Sequence, residues 1–319
     1  MTTRRAICIS MLAASLAAAA PLSAQQAPTA LNLFIPAAPG GGWDGTGRTI
    51  EMAMRTDGVI KEFKFENVGG AVGLPRFLTR KGQGDTVMVA GMVMVGALIA
   101  ANSPLKLTDT TPLARLTDEY EVIVVPAGSP HKTMADLIAA FKADPGKISW
   151  AGGSAGGTDH ILAGLIGKAV GVDPKKVTYV AYAGGGPALA ALLGSQVTAG
   201  ISGYSEFSEQ IKAGKLRALA VSSPTRMPGI DTPTLKEQGV DVELGNWRGV
   251  FGAPGISPDQ QKALIGLIEK MMAGPTWKAE VEKKGWTQSF LAGADFGKFI
   301  ASETTRISAI LSELDLKKK

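Results

Sequence analysis

The chain has 319 residues, 45% hydrophobic and 19% charged content, forty glycines and a formal net charge of +5. That composition fits a well-packed globular protein; it excludes a disordered chain and gives no case for nucleic acid as a partner. One cysteine, Cys8, excludes a disulfide framework.

Arg4 and Arg5, the apolar run from Ala6 to Ala20 and the PLSA that follows form a secretory signal peptide, residues 1–24, with cleavage expected after Ala24. Leu22 is a poor match at the third position before the cut. The run is shorter than the roughly 20 residues a spanning helix needs. Cleavage removes Cys8, Arg4 and Arg5, which lowers the formal charge from +5 to +3 and leaves no thiol for catalysis, disulfides or metal. The expected location is the periplasm. The remainder, about 295 residues, suits one or two domains.

Along the chain the pattern is strand, glycine turn, helix, repeated. LNLFIP leads through APGGGWD into a helical stretch at about 44–56. The apolar segment at 87–101 is a buried strand and turn entering a core helix, and EVIVVPA precedes a helix at 133–143 started by Thr133 with Asp136 three residues on. KISWAG precedes a helix from Thr158 to Val170, VTYVAYAGGG precedes PALAALLG, and LRALAVSS is a buried strand. Helix dominates after Ser257-Pro258, in two stretches with WTQSF between them. Such alternation predicts an α/β protein with parallel sheets and crossover helices. The strand-like stretches near EYEVIVVP and VELGNWRGVFGAP could carry the chain into a second lobe and back.

Three chemical signals compete. Gly152-Gly153-Ser154-Ala155-Gly156 fits a serine hydrolase's G-x-S-x-G elbow, but His131 precedes Ser154 and His160 follows by six residues. No histidine occurs later, so the base of that triad order is missing and esterase chemistry at Ser154 is a remote alternative. The stretch from Gly40 to Gly45 matches G-x-G-x-x-G with Glu62 and Glu66 downstream, a weak dinucleotide signal with the bulky Trp43 in its turn. Asp159 and His160 are adjacent and point apart on a helix, so no metal site is expected, and no cofactor either. What remains is anion binding by backbone: PGGGWDGT and GGSAGGTDH each precede a helix start with unpaired N–H groups and a positive dipole end. Neither turn contains lysine or arginine, which suits a releasable carboxylate. Each turn alone is also ordinary loop chemistry. Asp44 could pair with Arg48, His160 could be a satisfied buried histidine, and Trp43, Trp247 and Tyr182 could be core.

Taken together, IPAAPGGGWDGTGR, VGGAVGLPRF, WAGGSAGGTDHILAGLI, YVAYAGGGPALAALLGSQV, QIKAGKLRALAVSSPTRMPGIDTPTLKEQGVDVE and NWRGVFGAPGISPDQ resemble one family. It is the substrate-binding proteins of tripartite tricarboxylate transporters, the Bug-type periplasmic receptors, most closely their citrate-receptor branch. The resemblance implies a two-lobe periplasmic binding fold, type 2-like, each lobe a mostly parallel sheet flanked by helices. Residues 25–122 and 248–319 would form lobe one and residues 123–247 lobe two. It implies a ligand held by Pro39, Gly40, Gly41, Gly42, Trp43 and Asp44 from one lobe. From the other come Ser154, Ala155, Gly156, Gly157, Thr158, Asp159 and His160, with Tyr182, Gly184, Gly185 and Gly186 as a third wall and Tyr204 beside them.

Many relatives carry an aspartate after the GQV motif and another acid soon after; here Thr198 and Gly203-Tyr204 stand there. That argues against an amino-acid ligand, whose ammonium would want a carboxylate, and for a di- or tricarboxylate such as citrate. The partners implied are that small carboxylate and a membrane permease with one large and one small subunit, served by a monomeric receptor. The alternative is a sensory role beside a membrane kinase, using the same cleft.

Overall fold

The computed structural model describes residues 27–69 and 72–317. The expected signal peptide lies outside them. Among the described residues no helix is long and apolar enough to cross a membrane.

The elements are β1 (Ala30–Ile35), α1 (Gly42–Thr56), β2 (Glu62–Asn67), α2 (Gly73–Leu78), β3 (Thr86–Gly91), α3 (Met92–Ala100) and β4 (Thr111–Pro126). They continue with α4 (Met134–Ala143), β5 (Ser149–Gly152), α5 (Thr158–Ala169), β6 (Thr178–Ala181), α6 (Gly185–Leu193), β7 (Ala199–Gly203) and α7 (Tyr204–Lys212). The last are β8 (Leu216–Val221), β9 (Gly245–Gly252), α8 (Pro258–Ala273), α9 (Pro275–Lys283), β10 (Thr287–Ala292) and α10 (Gly293–Glu313).

β4 organises the molecule. Its first part, Thr111 to Tyr120, pairs with β9 and β10; from Glu121 onward it pairs with β7 and β8. One half of the sheet therefore runs β2-β1-β3-β9-β4 and the other β4-β7-β5-β6, with parallel cores β2-β1-β3 and β7-β5-β6. The strands that connect the halves run in opposite directions, so β9 and β4 pair antiparallel. The apolar segment at 87–101 resolves into fully buried β3 and then α3. Thr133 and Ser257 cap α4 and α8 with complete capping boxes. The first late helical stretch is divided at Gly274-Pro275 into α8 and α9, since proline cannot continue a helix but can begin one.

The largest apolar core passes through both halves, from Phe34, Met88 and Phe251 to Trp150, Ile161 and Ile201, and α10 adds Ile307 and Leu311. The end of α10 is tied to the second half by the Lys168–Glu313 ion pair, and Asp315 just beyond it by Lys175–Asp315 at 2.8 Å. Phe141 meets Trp150 edge-on at 5.3 Å in this core. Phe141→Ala should cost about 3–5 kcal/mol in urea unfolding, and Ser257→Ala only about 1 kcal/mol, the worth of one helix cap. Equal costs would show that the core is not where the burial places it.

Candidate functional site

Helices α1, α5, α6 and α7 each begin just past the carboxyl end of a strand, which in open α/β sheets is where crevices form. Their starts converge between the two halves on a cavity of about 60 Å³. The first half contributes Gly41, Gly42, Trp43 and Val93; the second contributes Ser154, Asp159, Gly184, Gly185, Ser202 and Glu206; Asn246 and Arg248 of β9 lie between. None of α1, α5 and α6 has a side chain capping its first turn. Their leading N–H groups are thus without a helical partner.

The two glycine turns are held in shape by their own helices. Asp44 reaches back to accept from Gly40 N at 3.1 Å, and also takes Asn67 Nδ2 at 2.9 Å. It stands 3.5 Å from Arg48, the pairing considered from sequence. Asp159 does the equivalent in the second half, accepting from Gly153 N at 2.5 Å, while Gly156 N donates to His160 Nδ1 at 3.0 Å. His160 stacks on Tyr179 at 4.2 Å, and Tyr179 donates its hydroxyl to Gly153 O at 2.9 Å. Burial pushes the His160 pKa down to about 4, so the ring is neutral and its Nδ1 is an acceptor. It serves the turn, and Nδ1 is not a base for Ser154.

Of the residues expected at the site, Gly41, Gly42, Trp43, Ser154, Asp159, Gly184 and Gly185 line the cavity. Pro39 and Gly40 press on Gly186 across the cleft, with a Cβ on Gly186 only 3.3 Å from Pro39 O. Gly156 and Gly157 pack on α3, where added Cβ atoms would strike Ala100 and Val93. Thr158 is fully buried, Ala155 is exposed, and Tyr182 packs into the smaller core of the second half. Tyr204 faces a different cavity, of about 590 Å³, together with Tyr120, Arg226 and Trp286.

Behind the cleft is a buried polar cluster that motif reading missed. Arg248, 2% exposed, donates to Gly42 O at 3.0 Å and Thr46 Oγ1 at 3.1 Å, and pairs with Glu119 and, at 3.2 Å, with Glu206. Glu119 also accepts from Trp286 Nε1 at 2.6 Å and Ser205 Oγ at 3.1 Å. Glu121, on β4 two residues from Glu119, accepts from Asn246 Nδ2 at 2.9 Å. A Cβ on Gly42 would collide with Arg248 Nη2 and Glu206 Oε1, and one on Gly185 with Glu206 Oε2. Both glycines are therefore required by close approach rather than by turn geometry.

Burial dominates the titration of these acids. It pushes Glu121 well above the usual carboxylate range, helped by Asp159 and Glu119. Asp159 rises to about 6, again through burial, against the pull of the Gly153 N–H. Glu206 rises to about 7: burial outweighs the attraction of Arg248, and Glu119 and Asp159 add to it. Burial works against the Arg248 charge, yet Glu119 and Glu206 hold its proton more firmly than usual. The available signals were two glutamates inside the apolar strand EYEVIVV and an arginine inside NWRGVFGA. Among the described residues no group of three or more His, Cys, Asp or Glu side chains is placed to hold a metal ion.

Residues 57–316 match the family model described as the tripartite tricarboxylate transporter family receptor. Protein BugT of Bordetella pertussis is 28% identical over 332 aligned positions, covering 99% of each chain. The solved structure of the periplasmic binding protein BugD superposes with a TM-score of 0.82 at 24% identity, covering 91% of this chain and 99% of that one. MatC from Rhodopseudomonas palustris with bound malate gives a TM-score of 0.77 at 22% identity, covering 89% and 99%. Fold and sequence agree: the chain belongs to the tripartite tricarboxylate transporter receptor family, the Bug-type periplasmic solute-binding proteins, with their two-lobe α/β fold.

Proposed function

We propose that this protein captures a small di- or tricarboxylate, of the citrate or malate kind, in the cleft between its lobes. It then delivers that ligand as a monomer to a two-subunit membrane permease. In this reading residues 25–122 and 248–319 form one lobe, residues 123–247 form the other, and the leader directs the chain to the periplasm. The observation that carries it is the cavity itself: the uncapped starts of α1 and α6 and the Ser154 turn border one space from opposite lobes. Positive helix ends and free amides stabilise an anion placed there. The malate bound by the related MatC is an acid of this class.

From sequence, Thr198 and Gly203-Tyr204, standing where relatives carry acids, argue against an ammonium-bearing ligand. Thr198 sits just before β7, where its hydroxyl meets Ser149, whereas Glu206, two residues past Tyr204, supplies an acid to the cleft. The carboxylate preference therefore rests on the helix starts alone. A cavity of about 60 Å³ is far below the roughly 300 Å³ of ordinary ligand clefts. Entry accordingly needs the lobes to part and then close on the ligand.

Citrate, malate and adipate should each raise the melting temperature in a concentration-dependent way if they bind, as RT ln(1 + [L]/Kd) requires. Stabilisation by amino acids alone would sink the proposal. Gly42→Ala, which drives a methyl into Arg248 and Glu206, should weaken acid binding about 100-fold in calorimetry. Gly45→Ala meets nothing within 4 Å and should bind as the parent does, with stability raised by up to about 1 kcal/mol.

A further inference from the structure

Four buried carboxyl groups, Glu119, Glu121, Asp159 and Glu206, surround a single guanidinium in a cleft read above as an anion site. Glu119 pairs with Arg248 and accepts from Trp286 and Ser205, so its oxygens are fully engaged. Those of Glu206 are not. Its side chain is 10% exposed and borders the cleft, Oε1 stands 3.2 Å from Arg248 Nη2, and Oε2 is buried against Gly185 beside the Ser202 hydroxyl, with no well-formed hydrogen bond. Arg248 Nε is likewise buried without a partner. An ionised Glu206 and a ligand carboxylate in so small a space would repel each other. A proton on Oε2 removes that repulsion and turns the unpartnered oxygen into a donor.

We propose that Glu206 meets the ligand as a neutral carboxylic acid, its Oε2–H donating to a ligand carboxylate oxygen, so that capture of the anion takes up one proton. The inference rests on the carboxylate reading and names the residue that makes it workable.

The charged groups facing Glu206 come from every packed element. Arg248 on β9 and the Ser202 hydroxyl on β7 favour its ionised form; Glu119 and Glu121 on β4 and Asp159 on α5 oppose it. Asp44 on α1 is turned away toward Gly40 and Asn67, and α6 presents only the backbone of Gly185. Burial adds to the opposing side, and the group sits at about 7 before any ligand arrives. A bound anion raises it further. Below about 7 Glu206 already carries the proton, and affinity is flat with pH. Above that value each captured anion must draw a proton from solution, so affinity falls toward tenfold per pH unit. An ammonium-bearing ligand would require the reverse, an ionised Glu206 and proton release.

Isothermal titration of the purified chain with malate, whose carboxyls stay ionised from pH 6.5 to 9, tests this in two buffers of different ionisation enthalpy. Proton uptake should approach one per malate near pH 8, and Kd should rise about tenfold between pH 7.5 and 8.5. Glu206→Gln keeps a donor without the charge. It should bind malate at pH 8.5 about as tightly as the parent does at pH 6.5, with no proton uptake. Glu206→Ala should be about tenfold weaker at low pH and flat throughout. Malate affinity independent of pH without proton exchange, proton release, or loss of binding in a Glu206→Gln protein that melts like the parent overturns the proposal alone. Absence of any binding of malate, citrate or adipate to the parent overturns the carboxylate reading and this inference with it.

Discussion

The placement of Arg248 constrains the rest of the cleft. A guanidinium this deeply buried must be paired and hydrogen-bonded, because the desolvation of an uncompensated ion is severe. Its partners are Glu119, Glu206, Thr46 Oγ1 and the carbonyl of Gly42, drawn from β4, α7 and α1. Meeting those partners fixes how closely the two lobes approach, and the backbone at Gly42 and Gly185 has no room for a side chain in consequence. The glycine turns that look from sequence like ligand cradles are in part clearance for this ion pair. Desolvation offsets much of the attraction in a buried pair of this kind, so it is weak evidence for net stability; what it does here is tie β4, α7 and α1 together at one approach.

Where the anchoring acids point decides which amides can serve a ligand. Asp44 and Asp159 both lie in the first turn of a helix, the position that favours a negative charge. Each folds back onto its own turn, at Gly40 N and Gly153 N, and His160 does the same at Gly156 N. Those three donors are spent on shaping the loops. On the proposed reading, anion binding is left to the leading amides of α1 and α6 and to the Ser154 turn, with Glu206 beside them and Arg248 behind. That division would let a site rich in acids keep a positive face toward the cleft.

Much of the fold was legible because its signals are local. β1, β3, β5 and β8 are short apolar runs, and the Thr133 and Ser257 capping boxes mark α4 and α8 from residue type and spacing alone. The β7–α7 unit was not legible. AGISG is a strand of small residues with no alternation, and YSEFSEQIK begins immediately without a turn signal. Glu206 lies on that unread helix, two residues past Tyr204, whereas the acid was looked for at Thr198, before β7, and at Gly203-Tyr204, where β7 passes into α7. The glutamates of β4 went unweighed for a related reason: in a strand that reads as core, only the fold reveals that one face meets a polar cleft.

On the proposed mechanism the hinge and the binding chemistry share residues. β4 changes strand partners at Tyr120–Glu121, and Leu244 leads into β9 beside it, so the two segments that join the halves of the sheet are stitched together. Ser222 Oγ accepts from Glu121 N at 2.9 Å and donates to Leu244 O at 2.7 Å, while Asn246 holds Glu121 Oε1. A core continuous through both lobes and α10 spanning them leave little freedom elsewhere. On the proposed mechanism, opening must therefore twist the strands where Glu119, Glu121 and Asn246 sit, and must separate Glu206 from Arg248. Proton, ligand and lobe position are then linked through one carboxyl group, because the same few side chains form both the pivot and the floor of the cleft.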